Sequence, residues 1–173
     1  ALITAISGML ATGGSAVVMK KMGEHREQEA RQDFTLLILT NAVVGAVMMV
    51  LGYTLMDTLL GAMGLSPAVF SYCHTYLSNY LLFTIPILLM YNFSLYLIAA
   101  DKSTLSLICT VAGGVTNIIL DYVLIALFDM GIQGAAIATG LGYSITAVVG
   151  FLVFQKQDSL LHFEKPVFRG GVL

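Results

Sequence analysis

Asp121 and Asn117 are the residues of this sequence whose types and spacing are best suited to chemistry. They stand four positions apart, so on a helix both side chains would emerge on one face, and the residues around them are mostly apolar. A carboxylate at the centre of a membrane helix costs about 2.5–3.5 kcal/mol, so it needs a partner, a cavity or a proton. The pattern favours a cation or proton site centred on Asp121; the alternative is an interhelical hydrogen bond that only fixes packing.

Small and polar residues could extend this site. The face that carries Asn117 continues along the same helix through Thr110, Gly113 and Gly114. The next apolar segment bears three hydroxyl groups on one side, those of Thr139, Tyr143 and Thr146. Lipid would leave such groups without hydrogen bonds, so we expect them to face other helices or water.

An earlier apolar segment, 76–98, contains Pro86 and several polar residues. Proline removes a helical hydrogen bond, which predicts a kink that is either static or a moving hinge. Tyr91 and Asn92 follow the proline, and together with Tyr143 they are candidates for lining a substrate cavity.

Patterns for enzymatic or metal chemistry do not accompany these groups. The sequence offers no nucleophile paired with a base, no cluster of ligands at metal spacing and no glycine loop for phosphate. We therefore predict a protein that is not an enzyme, with no metal site and no cofactor beyond the cation or proton that Asp121 would bind. Nucleic acid is not expected as a partner.

Membrane helices are the elements that must position these residues. Apolar residues make up 58% of the chain, charged residues only 10%, and the mean hydropathy is +0.89, whereas soluble domains have about 25% charged residues. Five stretches are each long enough to cross a bilayer: 1–19, 34–56, 76–98, 105–128 and 132–154. The sequence predicts an all-α, polytopic membrane helix bundle of about five transmembrane helices in the lipid bilayer.

Helix ends carry their own signals. Lys20 and Lys21 precede Gly23, which predicts a left-handed glycine cap at the end of the first helix. Ser66 followed by Pro67 predicts an N-cap and a first-turn proline for the third helix or a short lead-in to it.

The basic residues predict the orientation. All eight Lys and Arg fall in connections on one side, 20–33, 99–104 and 155–173, and none falls in 57–75 or 129–131. The positive-inside rule makes the first side cytoplasmic. Residues 155–173 mix charged and apolar groups, as an interfacial segment would, and we expect a flexible cytoplasmic linker lying on the membrane surface.

Two stretches resemble a known family. Gly13-Gly14-Ser15, followed by KKMGEHREQEA at 20–30, looks like the second helix and first cytoplasmic loop of MATE (multidrug and toxic compound extrusion) transporters. Asn117-Ile-Ile-Leu-Asp121, followed by FDMGIQGAAIAT at 128–139, is similar to that family's fifth and sixth helices.

The resemblance implies helices two to six of a twelve-helix transporter built from two lobes. Residues 1–154 would be part of the amino-terminal lobe and 155–173 the cytoplasmic linker between lobes, so we expect a piece of a longer chain whose partners include the missing first helix and the carboxy-terminal lobe. In the branch similar to the DNA-damage-inducible exporter, a cation- or proton-coupling site would fall on Asn117, Asp121 and Thr139. Ala99-Ala100-Asp101-Lys102 departs from the arginine and glycine that often end the family's fourth helix.

These inferences predict a cation-coupled multidrug efflux antiporter that works by alternating access in the plasma (inner) membrane and exports xenobiotic organic cations. One alternative is a lipid-linked saccharide flippase of the same superfamily, which would be expected to line its cavity with arginines. Another is a non-transporting scaffold subunit, in which Asp121 only forms a hydrogen bond with a neighbour.

Overall fold

The computed structural model describes residues 2–156 and 160–165, and the described part forms a bundle of helices. The helices follow one another with short connections: α1 Leu2–Gly23, α2 Glu27–Ala62, α3 Pro67–Leu82, α4 Thr84–Ala99, α5 Ser103–Asp121 with a π-helical continuation Tyr122–Leu127, and α6 Gly131–Gln155. Four of them are long and apolar enough to cross a membrane, and α3 with α4 would make a fifth span. The protein is therefore a multi-pass membrane protein, as its composition predicts.

The third span differs from its predicted form. It is two helices, α3 and α4, that meet at Phe83 with a bend of 54°. Pro86 lies in the first turn of α4, where its missing N–H leaves the carbonyl of Leu82 without a helical donor. The proline thus acts at the start of a new helix and not in the middle of a continuous one, and the bend lies three residues before it.

Helix α4 occupies the centre of the bundle, with α1, α2, α5 and α6 packed around it. Phe93, Tyr96 and Leu97 of α4 are fully buried against Phe34 of α2 and Phe154 of α6. The rings of Phe34 and Tyr96 meet edge to face with centroids 4.8 Å apart. This aromatic cluster is the main hydrophobic core among the described residues.

One end of the bundle, which we call the basic end, carries every Lys and Arg of the described residues; they are Lys20, Lys21, Arg26, Arg31, Lys102, Lys156 and Lys165. There α1 continues through Gly23, and the left-handed residue is His25 (φ 58°), so the predicted glycine cap is wrong. The amide of Arg26 closes the turn by donating to the carbonyl of Lys21 at 2.9 Å. At the opposite end Ser66 and Pro67 begin α3 as predicted, although the Ser66 side chain makes no capping bond.

Residues 160–165, which we call the docked segment, lie at the basic end, where α6 also ends. Leu161 is fully buried in the aromatic cluster, and Phe163 packs against it. The described part of the predicted surface linker is therefore packed onto the bundle, because alternate apolar side chains find a groove between α2 and α6.

Candidate functional site

A cavity of about 300 Å³ lies between α4, α5 and α6. Helix α4 contributes Met90, and the other two helices contribute small and hydroxyl-bearing residues; the full lining is Met90, Thr110, Gly113, Gly114, Asn117, Thr139, Gly142, Tyr143 and Thr146. These residues carry amide and hydroxyl groups but no charge. The cavity is large enough for several water molecules or a small solvated cation.

Glycines let α5 and α6 approach closely beside this cavity. A methyl group built on Gly113 would lie 2.7 Å from the carbonyl oxygen of Gly142, and one built on Gly142 would lie 2.8 Å from the carbonyl oxygen of Gly113 and 3.2 Å from Cβ of Asn117. Neither position has room for a side chain. The two glycines therefore set the spacing at which the polar groups of α5 and α6 face each other.

Asn117 and Thr139 meet across this crossing. The Asn117 amide Nδ2 lies 3.5 Å from Thr139 Oγ1, at the long limit of a hydrogen bond. The Thr139 hydroxyl donates to the carbonyl of Ala135 at 2.9 Å, so its oxygen lone pairs face the amide. This geometry leaves the Asn117 carbonyl oxygen and the Thr139 oxygen available to a further ligand.

Asp121 is the last α-helical residue of α5, one turn beyond Asn117. Its Oδ1 atom is buried and has no hydrogen-bond partner among the residues that the structure describes. Asp121 does not belong to the cavity lining, which ends at Asn117 on this helix. A buried carboxylate oxygen without a partner is costly, so this position is suited to holding a proton or a cation.

The backbone changes geometry directly after Asp121. Residues Tyr122–Leu127 form a π-helix, and the Phe128 amide donates to the carbonyl of Val123 at 3.0 Å. Such i to i−5 segments are rare and are frequent at functional sites. Sequence reasoning missed this segment, because residue types alone do not distinguish one helical turn of this kind from an α-helical one.

Tyr143 borders the cavity, which it lines from α6. Tyr91 of α4, the other tyrosine predicted to line a cavity, does not belong to the lining. On α3, Tyr80 stacks on Tyr76 with ring centroids 5.8 Å apart. Of the two predicted tyrosines, only Tyr143 therefore lies at this cavity.

Asn92 lies elsewhere. It is fully buried between α4 and α2, where its Nδ2 donates to Asn41 Oδ1 at 2.9 Å and Asn41 Nδ2 donates back to Asn92 Oδ1 at 3.3 Å. Each amide also donates to a carbonyl of its own helix. The Asn92 side chain is fully engaged in joining two helices, which explains why it does not face the cavity.

Met90 and Gly142 line the cavity but were not among the residues that the sequence pattern indicated, and Met90 is the one with a large side chain. It supplies the wall on the α4 side, opposite the hydroxyl groups of α6. A methionine in an apolar helix carries no signal for such a role, since its position depends on how α4 packs against α5 and α6.

Comparison with known proteins identifies the fold and the family. The profile of the family MatE matches residues 1–123. The chain is 22% identical over 163 residues to "Multidrug export protein MepA" of Staphylococcus haemolyticus (strain JCSC1435), an alignment that covers 94% of this chain and 36% of that protein. The chain thus spans about a third of the length of this relative.

Solved structures with the same fold include two conformations of one kind of transporter. A chain described as the inward-facing conformation of a multidrug resistance MATE family transporter of the MOP superfamily matches with a TM-score of 0.91 and 20% identity, over 98% of this chain and 39% of its own length. The outward-facing conformation matches with a TM-score of 0.91 and 20% identity, over 98% and 38%. With more than half of the sequence matched by the family profile, the chain belongs to the MatE family.

Proposed function

We propose that this chain is part of the amino-terminal lobe of a multidrug efflux antiporter, and that Asp121 is the group that couples export to the entry of H⁺ or Na⁺. The observation that carries the proposal is the buried Oδ1 of Asp121, which has no hydrogen-bond partner in the described part of the chain and lies one helical turn from Asn117. Carboxylate, amide and hydroxyl oxygens, such as those of Asp121, Asn117 and Thr139, are the ligands that hard cations prefer.

Alternating access gives the coupling ion a mechanical effect. Ion binding biases the balance between two conformations only if the site differs between them. We infer that this difference lies in the cavity next to Asn117, which can admit water or a cation, whereas the α5–α6 crossing beside it has no spare room. The fold of this chain resembles an inward-facing and an outward-facing chain equally well, which supports a lobe that moves largely as a unit.

Organic cations are the substrates that the surroundings favour. The ring of Tyr143 lines the cavity, and aromatic faces attract cations. The cavity lining contains no arginine, which makes the saccharide flippase the less favoured alternative. The relative MepA is named a multidrug export protein, in agreement with this substrate class.

The proposed setting is the plasma (inner) membrane with the basic end in the cytoplasm. The described Lys and Arg all lie at that end, and the positive-inside rule then assigns the side. The docked segment at the same end would lead toward the second lobe.

Replacing Asp121 with Asn in the full-length transporter tests the proposed function. The change keeps the side-chain shape and removes the charge, so we expect ion-driven export of a fluorescent organic cation from proteoliposomes to fall at least tenfold while the protein still inserts and purifies as a stable particle. Imposing a proton gradient or a sodium gradient separately identifies the coupling ion.

Asp129→Asn is the matched control. Asp129 is exposed in the turn after the π-helical segment and has φ 53°, a conformation that asparagine also adopts readily. Export by this variant should stay within about twofold of the wild type, a margin of about 0.4 kcal/mol. Undiminished export by the Asp121 variant would contradict the coupling role. A wild-type protein that exports nothing would instead favour the scaffold alternative.

A further inference from the structure

The docked segment is held to the bundle by its apolar side chains. Leu161 is 0% exposed, among the residues of the aromatic cluster. The ring of Phe163 packs between Phe34 of α2 and Phe151 of α6, with centroid separations of 5.4 and 5.5 Å. Pulling the segment away would expose both side chains and the cluster beneath them to water.

Backbone hydrogen bonds fix its register. The Phe163 amide donates to the carbonyl of Phe154 in α6 at 3.0 Å, and the Glu164 amide donates to Thr35 Oγ1 of α2 at 3.0 Å. The guanidinium of Arg31 donates from Nε to the carbonyl of Leu160 at 3.1 Å. Helix α2 therefore binds the segment at Leu160 and Glu164, and helix α6 binds it at Phe163.

The helices that it joins are not backbone neighbours. Among the described residues, no Cα atom of α2 lies within 8 Å of a Cα atom of α6. The two helices meet through long side chains, such as the rings of Phe34 and Phe154. The segment fills the space between them at the basic end. It thereby acts as a bridge from α2 to α6.

We propose that the docked segment is a permanent clamp, which stays bound to α2 and α6 throughout the transport cycle. This inference rests on the proposed function for its transport cycle. The three hydrogen bonds named above join the segment to α2 and α6 of this one bundle, so a rigid movement of the lobe leaves these contacts intact.

Two adjacent leucines allow the test. Leu161 is fully buried, whereas Leu160 is 47% exposed. Each is replaced singly by cysteine in the full-length transporter, in a background in which Cys73, Cys109 and any other native cysteine are replaced by alanine. The rate of labelling by a small maleimide is measured in proteoliposomes at rest and during ion-driven export of a fluorescent cation.

A permanent clamp predicts that Leu161→Cys is labelled at least tenfold more slowly than Leu160→Cys, with the same ratio at rest and during transport. Equal rates at rest would show that the segment is not docked. A rise in Leu161→Cys labelling during transport would show a latch that opens, and would also overturn the proposal. The comparison at rest does not depend on transport, so a failure of the proposed function is distinguishable from a failure of the clamp.

A cross-link supplies a second measurement for the case in which Leu161→Cys disturbs folding. The contact between the Glu164 amide and Thr35 Oγ1 brings the two backbones to about the separation that a disulfide needs. Oxidised Thr35→Cys/Glu164→Cys should lose two free thiols and keep export within about twofold of the reduced protein. The control is Thr40→Cys/Glu164→Cys, in which the first cysteine lies farther along α2, and it should keep both thiols. Failure of Thr35→Cys/Glu164→Cys to form a disulfide would contradict the clamp. Export that the cross-linked protein regains only after reduction would also contradict it.

Discussion

At the scale of single residues, the basic end contains a buried ion pair. Lys21 of α1 contacts Asp33 of α2, whose side chain is 2% exposed, and it lies 3.7 Å from Glu29. The Lys21 side chain is 16% exposed, whereas that of the neighbouring Lys20 is 77% exposed and lies 4.0 Å from Glu24. The two adjacent lysines therefore differ strongly in exposure, which makes them a matched pair.

Lys21→Ala should destabilise the protein strongly and Lys20→Ala hardly at all. Removing one member of a buried pair leaves an uncompensated charge, at a cost of about 3 kcal/mol, whereas an exposed pair contributes little. Loss of folded protein on heating in detergent, followed by size-exclusion chromatography, measures both. Adding Asp33→Asn to Lys21→Ala should recover part of the lost stability. Equal heat sensitivity of the two lysine variants would contradict the conclusion that Lys21 neutralises a buried Asp33.

Sequence reasoning placed individual residues on a helix face but could not pair them across helices. The four-residue spacing of Asn117 and Asp121 implies a shared face, and the structure sets them one turn apart on α5. The partner of Asn92 is Asn41, on another helix and 51 residues away. The local sequence around Asn92 does not show whether its side chain faces a cavity or bonds to an amide on another helix, because a polar residue suits both positions.

At the scale of helices, small residues set how closely α5 and α6 approach where they cross. Gly113 faces the carbonyl of Gly142, while Gly114, the next residue, has no heavy atom within 4 Å of an added methyl group. Consecutive glycines thus differ in whether a side chain fits.

Gly113→Ala should separate α5 from α6, and Gly114→Ala should be tolerated. A methyl group 2.7 Å from the Gly142 carbonyl oxygen must push the helices apart, since backbone cannot move aside as a side chain does. We expect a stability loss of about 1–3 kcal/mol for overpacking, together with impaired ion-driven export because Asn117 and Thr139 are drawn apart. Heat stability and export rates of both variants provide the measurement; similar values for the two would show that the crossing is looser than the structure indicates.

Three features of the helices were beyond the sequence for a physical reason. The bend at Phe83, the π-helical segment after Asp121 and the docked segment concern the backbone path and contacts between distant residues, which local residue types do not encode. Pro86 signals an interruption, but the bend lies three residues earlier at Phe83, whose ring occupies the space that a side chain on Gly140 of α6 would need. Leu161 and Phe163 have the pattern of an interfacial segment, and only the groove between α2 and α6 decides that they dock instead.

At the scale of the whole molecule, basic residues and helix directions give the bundle a polarity. The connection from α1 to α2, the connection from α4 to α5 and the end of α6 all lie at the basic end, and the docked segment ties the last of these to the start of α2. Helix α2 has 36 residues and so exceeds the roughly 20 needed to cross a bilayer, with its first turns forming part of the basic end. The five spans could be predicted because the length of an apolar segment directly indicates whether a helix can cross the lipid bilayer.

Cysteines placed at the two ends of the bundle test its orientation in the membrane. Glu24→Cys lies in the exposed turn between α1 and α2, and Met63→Cys lies after α2 at the opposite end, where Met63 is 68% exposed. If the basic end is cytoplasmic, a membrane-impermeant maleimide added to intact cells should label Met63→Cys, and it should label Glu24→Cys only after permeabilisation. Cys73 is replaced by alanine in both variants because it lies on α3 and is partly exposed. The reverse labelling pattern would contradict the positive-inside assignment, and with it the cytoplasmic position of the docked segment, because Glu24 and that segment occupy the same end of the bundle.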